Sequence, residues 1–198
     1  MRSRAAVLEA ATKLFLRSGF VGTSMDEIAE AAGLSKRTLY NNFAHKEDLF
    51  REVVTASITI AERFADHAAA ELEDPGDLDA ALTGLARRLA REVTSPPVVR
   101  LRRLLIGEAH RFPDLAADYY EHAPGKVMAT IATAFGRLAA RGRLRVDDQI
   151  RAAEQFAFLV LGPALDRALF TGRDTPPDPE ALASAADAGV RTFLTAYG

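Results

Sequence analysis

Side chains that can bind phosphate or read base edges are concentrated between residues 36 and 46 of this chain. Lys36 and Arg37 are cationic, and the planar fork of an arginine matches the two acceptors on the edge of a guanine. The hydroxyl of Tyr40 and the amide of Asn41 are hydrogen-bond donors for phosphates or bases. This stretch therefore indicates nucleic-acid binding, and the alternative interpretation is an ordinary solvated helix face.

The flanking residues predict the elements that would present these groups. Ser24, with Glu27 three residues later, forms a capping box that starts a two-turn helix, and Gly33 ends it. Ser35 is placed to cap a short third helix in which Leu39 faces inward. Two short helices joined by a tight turn form a helix-turn-helix, whose second helix enters the major groove of DNA. We predict DNA contacts from this motif and its flanks by Thr23, Ser24, Lys36, Arg37, Thr38, Tyr40, Asn41, His45 and Lys46.

The rest of the chain also has a helical pattern. Alanine and leucine dominate, apolar residues recur every three or four positions, and glycine and proline fall at segment edges. This pattern predicts an all-α fold, with a long helix from about residue 46 to 72. Later helices are expected at 77–94, 97–110, 114–122, 125–141, 147–171 and 179–196.

Composition limits the class of protein. The 198 residues are 48% hydrophobic and 26% charged, with a formal net charge of −2, which suits a globular protein that buries a core. The longest apolar run, residues 156–165, is about half of what a membrane span needs, and no N-terminal segment resembles a signal peptide. We therefore expect a cytoplasmic protein with no membrane partner.

Several kinds of chemistry are excluded or disfavoured by the sequence. The chain has no cysteine, which excludes disulfides and thiolate zinc sites, and its four histidines are scattered. It contains no nucleophile elbow, phosphate-binding glycine loop or dinucleotide fingerprint. We expect no enzyme activity, no metal site and no cofactor.

Residues 22–49 resemble the TetR family of transcription regulators. The matching motifs, in register, are Gly22-Thr23-Ser24, Ile28-Ala29, Ala32-Gly33-Leu34-Ser35, Leu39-Tyr40-Asn41-Asn42-Phe43 and Lys46-Glu47-Asp48-Leu49. Arg37 departs from the pattern, since many members have a small residue there. The segment 107–115, followed by the aromatic pair Tyr119-Tyr120, looks like the AefR-type C-terminal domain of one branch.

The resemblance implies an architecture of nine or so helices. It implies a helix-turn-helix DNA-binding domain at residues 1–47, and a larger domain at 48–198 that binds a ligand and dimerises through the last two long helices. The ligand cavity is expected inside this second domain. Side chains predicted to line it, which otherwise belong to the core, are His110, Phe112, Tyr119, Tyr120, Met128 and Phe156.

The last two helices carry the predicted dimer interface. Residues 152–169 are apolar on more than one face, so this helix must pack on two sides. A four-helix interface with a second copy suits two DNA-reading heads that address two-fold-related half-sites, and the alternative is an intramolecular core. The predicted interface residues are Phe158, Leu161, Leu165, Leu182, Ala186, Gly189, Val190 and Phe193.

These observations predict a homodimeric regulator that binds double-stranded operator DNA, a repressor released by a small hydrophobic effector. Repression is the usual sign in the family that the chain resembles, and nothing in the sequence excludes an activator. One alternative is a protein of the same fold that binds a ligand without regulating DNA, and another is a ligand-independent DNA-binding dimer. The cations at positions 36, 37 and 46 argue against the first alternative.

Overall fold

The computed structural model describes residues 2–171 and 175–198, and within these ranges it contains helices and no β-strand. The α-helices of these ranges are α1 (Arg2–Ser18), α2 (Met25–Ala31), α3 (Lys36–Asn42), α4 (Lys46–Glu71), α5 (Leu78–Val93), α6 (Pro96–Glu108), α7 (Pro113–Tyr120), α8 (Lys126–Ala140), α9 (Gln149–Phe170) and α10 (Pro179–Tyr197). A π-helical turn, Glu121–Gly125, joins α7 to α8. The predicted all-α fold is confirmed. No helix in the described part of the chain is long and apolar enough to cross a membrane.

The ends of the predicted helices agree with the observed ones within two residues because local side chains set them. At the start of α5, the carboxylate of Asp77 accepts a hydrogen bond from the backbone N–H of Ala80 at 3.1 Å. Asp148 caps α9 in the same way by accepting from the N–H of Arg151 at 3.0 Å. Each cap satisfies a backbone donor that the first helical turn leaves without a partner.

The chain forms two compact units. The first contains the described residues up to Thr59 together with Arg100–Tyr120, and the second contains Ile60–Val99 and the described residues from Glu121 to Gly198. The boundary predicted after residue 47 follows the sequence motif and stays a prediction. The segment Arg100–Tyr120, which the sequence assigned to the second domain, belongs to the same unit as the helix-turn-helix.

An aromatic cluster forms the centre of the first unit. The rings of Phe15, Phe20 and Phe50 lie with centroids 5.2–5.9 Å apart, and all three are at most 2% exposed. Phe112 completes the cluster, with its ring 4.9 Å from that of Phe20 and 5.4 Å from that of Phe50. The sequence predicted that Phe112 lines a cavity of the second domain. The structure instead buries its ring in this cluster of the first unit. This packs the residue before α7 against the α1–α2 loop and α4.

Lys46 fixes the loop between α1 and α2. Its Nζ donates hydrogen bonds to the backbone oxygens of Phe20 at 2.8 Å and Thr23 at 2.7 Å. The same ammonium lies 4.4 Å from the centroid of the Phe20 ring. A cation held by two carbonyls and one aromatic face at the start of α4 sets the position from which α2 begins.

A second aromatic cluster forms the core of the second unit. Phe135 of α8, Phe156 of α9 and Phe193 of α10 have ring centroids 5.0–5.6 Å apart, and all three are fully buried. Phe156 was predicted to line a ligand cavity, and the structure places it in this core. The close packing of α10 on α9 depends on Gly189, since a Cβ there would meet the backbone oxygen of Leu159 at 2.9 Å.

The predicted dimer contacts on α10 lie in the same intramolecular packing. A stripe of small and large residues along α10 faces α5 and α9 of the same chain. Its members are buried in the chain's own core, and they are Leu182, Ala186, Gly189, Val190 and Phe193. Their contact with a second copy stays a prediction. The intramolecular core that the sequence left open as an alternative is what the structure shows for this stripe.

We predict that Lys46→Ala lowers the free energy of unfolding by about 2 kcal/mol, since it removes two charge-assisted hydrogen bonds and a cation–π contact from a partly buried site. Urea unfolding followed by circular dichroism, at one protein concentration, measures the loss. Lys13→Ala is the matched control, because Lys13 makes only an exposed ion pair with Glu9 along α1. Equal losses in the two variants would contradict a structural role of Lys46.

Candidate DNA-binding surface

Local hydrogen bonds determine the shape of the α2–turn–α3 motif. The N–H of Ser24 donates to the carboxylate of Glu27 at 2.8 Å, and the N–H of Glu27 donates to the hydroxyl of Ser24 at 3.2 Å. This capping box, predicted from the sequence, is confirmed. Donation from the Ser24 hydroxyl and N–H lowers the pKa of Glu27, so the cap weakens as pH falls through that lowered value.

The turn after α2 requires a glycine. Gly33 has a φ of +65°, in the left-handed region that other residues rarely adopt. The N–H of Leu34 then donates to the oxygen of Ala29 at 2.9 Å and closes the helix end. Ser35 caps α3, because its hydroxyl accepts from the N–H of Thr38 at 3.1 Å. The backbone conformation of Gly33 and the Ser35 cap therefore fix the orientation of α3 relative to α2.

Burial on one side of α3 determines what the other side presents. Leu39 is fully buried, as predicted, and Phe43 directly after the helix is 4% exposed. Positions separated by four residues lie on the same side of a helix. Four exposed residues of α3 form what we call the α3 face, and they are Lys36, Arg37, Tyr40 and Asn41.

The α3 face brings together four of the residues predicted to bind DNA. Tyr40 is 49% exposed and offers its hydroxyl, while Arg37 presents its guanidinium from the first turn of the helix. Lys36 is exposed but engaged, since its Nζ lies 2.6 Å from the carboxylate of Asp26 on α2. That hydrogen bond and the attraction to the carboxylate raise the pKa of Lys36.

The remaining predicted residues lie beside this face. The hydroxyl of Thr38 lies 2.8 Å from the hydroxyl of Ser35, and His45 is exposed just before α4. Thr23 is 2% exposed, and its hydroxyl donates to the oxygen of Gly19 at 2.8 Å. Thr23, Ser24 and Lys46 therefore hold the loop in shape, and their contact with phosphate stays a prediction.

An open depression of about 440 Å³ lies next to the α3 face. Most of its lining comes from the α1–α2 loop and the first turn of α2, namely Val21, Gly22, Thr23, Ser24, Met25, Asp26 and Glu27. Tyr40 and Lys46 complete the lining. Its lining includes the carboxylates of Asp26 and Glu27 as well as the ammonium of Lys46.

Sequence reasoning missed two partnerships around this surface. Asp26 pairs with Lys36, ten positions away, and Arg111 stacks its guanidinium 5.3 Å from the Phe20 ring. The sequence shows two acids in the first turn of α2, Asp26 and Glu27. Which of them pairs with Lys36 depends on the geometry of the turn between α2 and α3.

The predicted ligand-lining residues are distributed over both units. His110 and Tyr120 are exposed, and Tyr119 is 9% exposed, all within the first unit. Met128 is half-buried on α8 of the second unit. Apart from the two phenylalanines already placed in the cores, their role in ligand binding stays a prediction.

A second surface lies along α9 and α10. An open, mainly apolar groove of about 420 Å³ is lined by Gln155, Phe158, Leu159, Thr192, Phe193, Ala196 and Tyr197. Phe158 is 71% exposed, whereas Leu161 and Leu165 on the same helix are half-buried. At one end, the hydroxyl of Tyr197 donates to the Gln155 side chain at 2.5 Å. We call this surface, with its exposed Phe158, the α9–α10 groove.

Comparisons with known proteins agree with this architecture. A family model described as bacterial regulatory proteins of the tetR family matches residues 7–53, and one described as the C-terminal domain of AefR-like transcriptional repressors matches residues 80–198. The AefR-type assignment of the C-terminal segment is therefore confirmed.

Solved structures extend the similarity over the whole length. A TetR-family transcriptional regulator from Mesorhizobium loti is 34% identical and has a TM-score of 0.92, with 100% of this chain and 97% of that chain covered. The flavonoid-responsive regulator FrrA is 33% identical with a TM-score of 0.72, over 99% of this chain and 97% of FrrA.

Some curated sequences match only the N-terminal part of the chain. The uncharacterized HTH-type transcriptional regulator YhgD of Bacillus subtilis is 42% identical over 62 residues, or 31% of this chain, and the match spans about a third of its own length. Two family models and a whole-length structural match thus agree with the resemblance that residues 22–49 indicated. The chain belongs to the TetR family of transcriptional regulators.

Proposed function

We propose that this chain is a homodimeric repressor that binds operator DNA through α3 and is released by a small hydrophobic effector. The observation that carries the proposal is the α3 face, which exposes Lys36, Arg37, Tyr40 and Asn41 opposite the buried Leu39. Regulators of the family bind operator DNA as dimers, and a chain with this helix-turn-helix is suited to the same task.

The chemistry of the α3 face divides DNA contacts into two kinds. Arg37 has the donor fork that reads a guanine, so it is our candidate for a base contact. Lys36 and Tyr40 are suited to phosphate contacts, which position the helix without reading sequence. A protein with a net charge of −2 gains no uniform attraction to DNA, so the local arrangement of these groups must provide the affinity.

Dimerisation is supported by the α9–α10 groove. Phe158 projects a large apolar ring into solvent, and Leu159 beside it is 41% exposed. Exposed apolar surface of this kind, rimmed by polar groups such as Gln155 and Thr192, is typical of an interface. A two-fold axis there would give two α3 faces for half-sites about one DNA turn apart.

Effector response is supported by the way the chain connects its two units. Helix α4 begins in the first unit and continues into the second, and α6 begins in the second and ends in the first. The segment after α6 places Phe112 against Phe20 and Phe50 of the DNA-binding unit. An effector that prefers one arrangement of the second unit would change the packing of these rings and shift the population that binds DNA. FrrA, a flavonoid-responsive regulator by name, suggests planar aromatic compounds as the first class to test.

The proposed function is tested by fluorescence anisotropy against duplexes that tile the upstream region of the chain's own gene, at two salt concentrations and with a scrambled competitor. We predict binding that survives the competitor and weakens with salt. Arg37→Ala should weaken specific binding by about 1–3 kcal/mol and leave binding to random DNA less affected. Arg137→Ala, an exposed arginine on α8, is the control and should bind like wild type.

Two outcomes would redirect the proposal. An equal loss on specific and random DNA would show that Arg37 contacts only phosphate. Wild-type protein that fails to distinguish any duplex of the region from the scrambled one would move support to a distant operator or to a ligand-binding protein that does not regulate DNA.

The dimer is tested by light scattering after size exclusion. Wild type should elute with twice the 21.4 kDa mass of the chain. Phe158→Glu should elute as a monomer, because dimerisation would bury an unpaired carboxylate in an apolar groove. Ile106→Glu, at a comparably exposed apolar residue of α6, should remain dimeric. A dimeric Phe158→Glu would place the interface elsewhere.

The effector is tested by a thermal-shift screen of planar aromatic phenols. A compound that binds the folded protein at about 100 times its Kd should raise the Tm by about 5–10 °C through mass action. The same compound should lower the anisotropy of the DNA complex, and its polar glycoside serves as the control. A screen without any shift would favour the ligand-independent DNA-binding dimer.

A further inference from the structure

One ion pair crosses the helix-turn-helix at the edge of the α3 face. Asp26 is the second residue of α2, and its carboxylate lies 2.6 Å from the Nζ of Lys36, the first residue of α3. Both side chains are well exposed, at 56% for Asp26 and 67% for Lys36. The neighbouring acid, Glu27, is already engaged with Ser24 in the capping box. Asp26 is therefore the acid of this turn that is directed at the recognition helix.

We propose that Asp26 restrains the DNA affinity of this chain by weakening a phosphate contact of Lys36. It does so by competing with phosphate for Lys36 and by adding a negative charge at the edge of the recognition surface. The inference rests on the proposed function and adds a residue that is outside the contact set expected from the motif.

The exposure of the pair argues that its main effect is not on folding. Ion pairs between solvated side chains contribute little to stability, because water screens them and both side chains lose conformational freedom. The same pair is placed where a polyanion must approach. When Lys36 binds a phosphate, its ammonium must break or share the hydrogen bond with the Asp26 carboxylate. The loss of that attraction offsets part of the free energy that the phosphate contact gains.

The restraint acts on the phosphate contacts that random DNA and an operator share. Binding to random sequence comes almost entirely from phosphate contacts and counterion release. Binding to an operator also includes base contacts, which we assign to Arg37. Weakening one phosphate contact in each head therefore lowers both affinities by a similar factor, and it limits how much of the protein is held by the many competing sites.

The same geometry also allows the opposite role, in which Asp26 helps Lys36 to bind DNA. The experiment distinguishes the two roles. If Asp26 only orients Lys36 toward a phosphate, then its removal should weaken DNA binding. If Asp26 restrains Lys36, its removal should strengthen binding, and only when Lys36 is present.

The experiment measures the affinity of the full chain for a random-sequence duplex by fluorescence anisotropy at four salt concentrations, so that no operator need be known. Asp26→Asn keeps the size of the side chain and removes its charge. We expect its affinity for the random duplex to rise by about threefold to tenfold, and the slope of log K against log salt to steepen by about 0.9 for each recognition helix that gains a phosphate contact.

Two further variants separate this effect from a general change of charge. Glu30→Gln removes one charge from an exposed residue of the same helix, and it should stay within about twofold of wild type. In the Lys36→Gln background, Asp26→Asn should have no effect beyond that of Glu30→Gln. Circular dichroism should show unchanged helix content in every variant, because all three positions are exposed.

Each result decides the inference. It is overturned if Asp26→Asn binds no more tightly than Glu30→Gln, if it binds more weakly than wild type, or if its gain persists without Lys36. Wild-type protein that binds random duplex, together with an inert Asp26→Asn, overturns this inference and leaves the proposed function standing. Wild-type protein that binds no duplex at all overturns both.

Discussion

The burial of the Phe20 ring is the interaction on which the DNA-binding unit depends. Gly19, with a φ of +76°, lets the chain reverse direction after α1 so that the ring enters a cluster with Phe15, Phe50 and Phe112. Two cations then cover the ring, the ammonium of Lys46 at 4.4 Å and a guanidinium at 5.3 Å. Aromatic pairs and cation–π contacts each contribute of the order of 1 kcal/mol, so the cluster fixes the helices that carry α2 and α3 more firmly than the short helices could fix themselves.

Much of the fold could be predicted because its signals are local. A capping box spans three residues, a left-handed glycine acts at one position, and helix ends follow from caps and prolines, so α2, α3 and the later helices were readable from the sequence. The partners of a helix face are not local. The stripe on α10 predicts close packing but does not say whether the other helix belongs to the same chain. For the same reason Phe112 was assigned to a ligand cavity, although its ring completes a cluster with residues 62 to 97 positions earlier in the chain.

The arrangement of charge matters more here than its amount. The chain carries 25 lysines and arginines against 27 acids, and two of the cations that the sequence offers to DNA are engaged within the protein. Lys46 donates to backbone oxygens, and Lys36 pairs with an acid of α2. Residues 36–46 therefore leave fewer cations available to a polyanion than their sequence suggests. This limited positive charge is consistent with a regulator. A genome contains a vast excess of competing sites, and a strongly cationic protein would stay bound to them.

The energy of the Phe20–Phe112 contact can be compared with the coupling free energy that the proposed effector response would need. Allosteric coupling energies are typically about 1–3 kcal/mol, and an edge-to-face ring pair contributes about 0.5–1.5 kcal/mol beyond the area it buries. Weakening the packing of one ring in each protomer of a dimer would thus supply a free-energy change of the required order. Because Phe112 directly follows the segment that ends α6, and Phe50 lies on the helix that continues into the second unit, a small displacement of either helix acts on the same cluster. The proposed effector response therefore does not require the helix-turn-helix to unfold, only that one shared aromatic contact be better packed in one state than in the other.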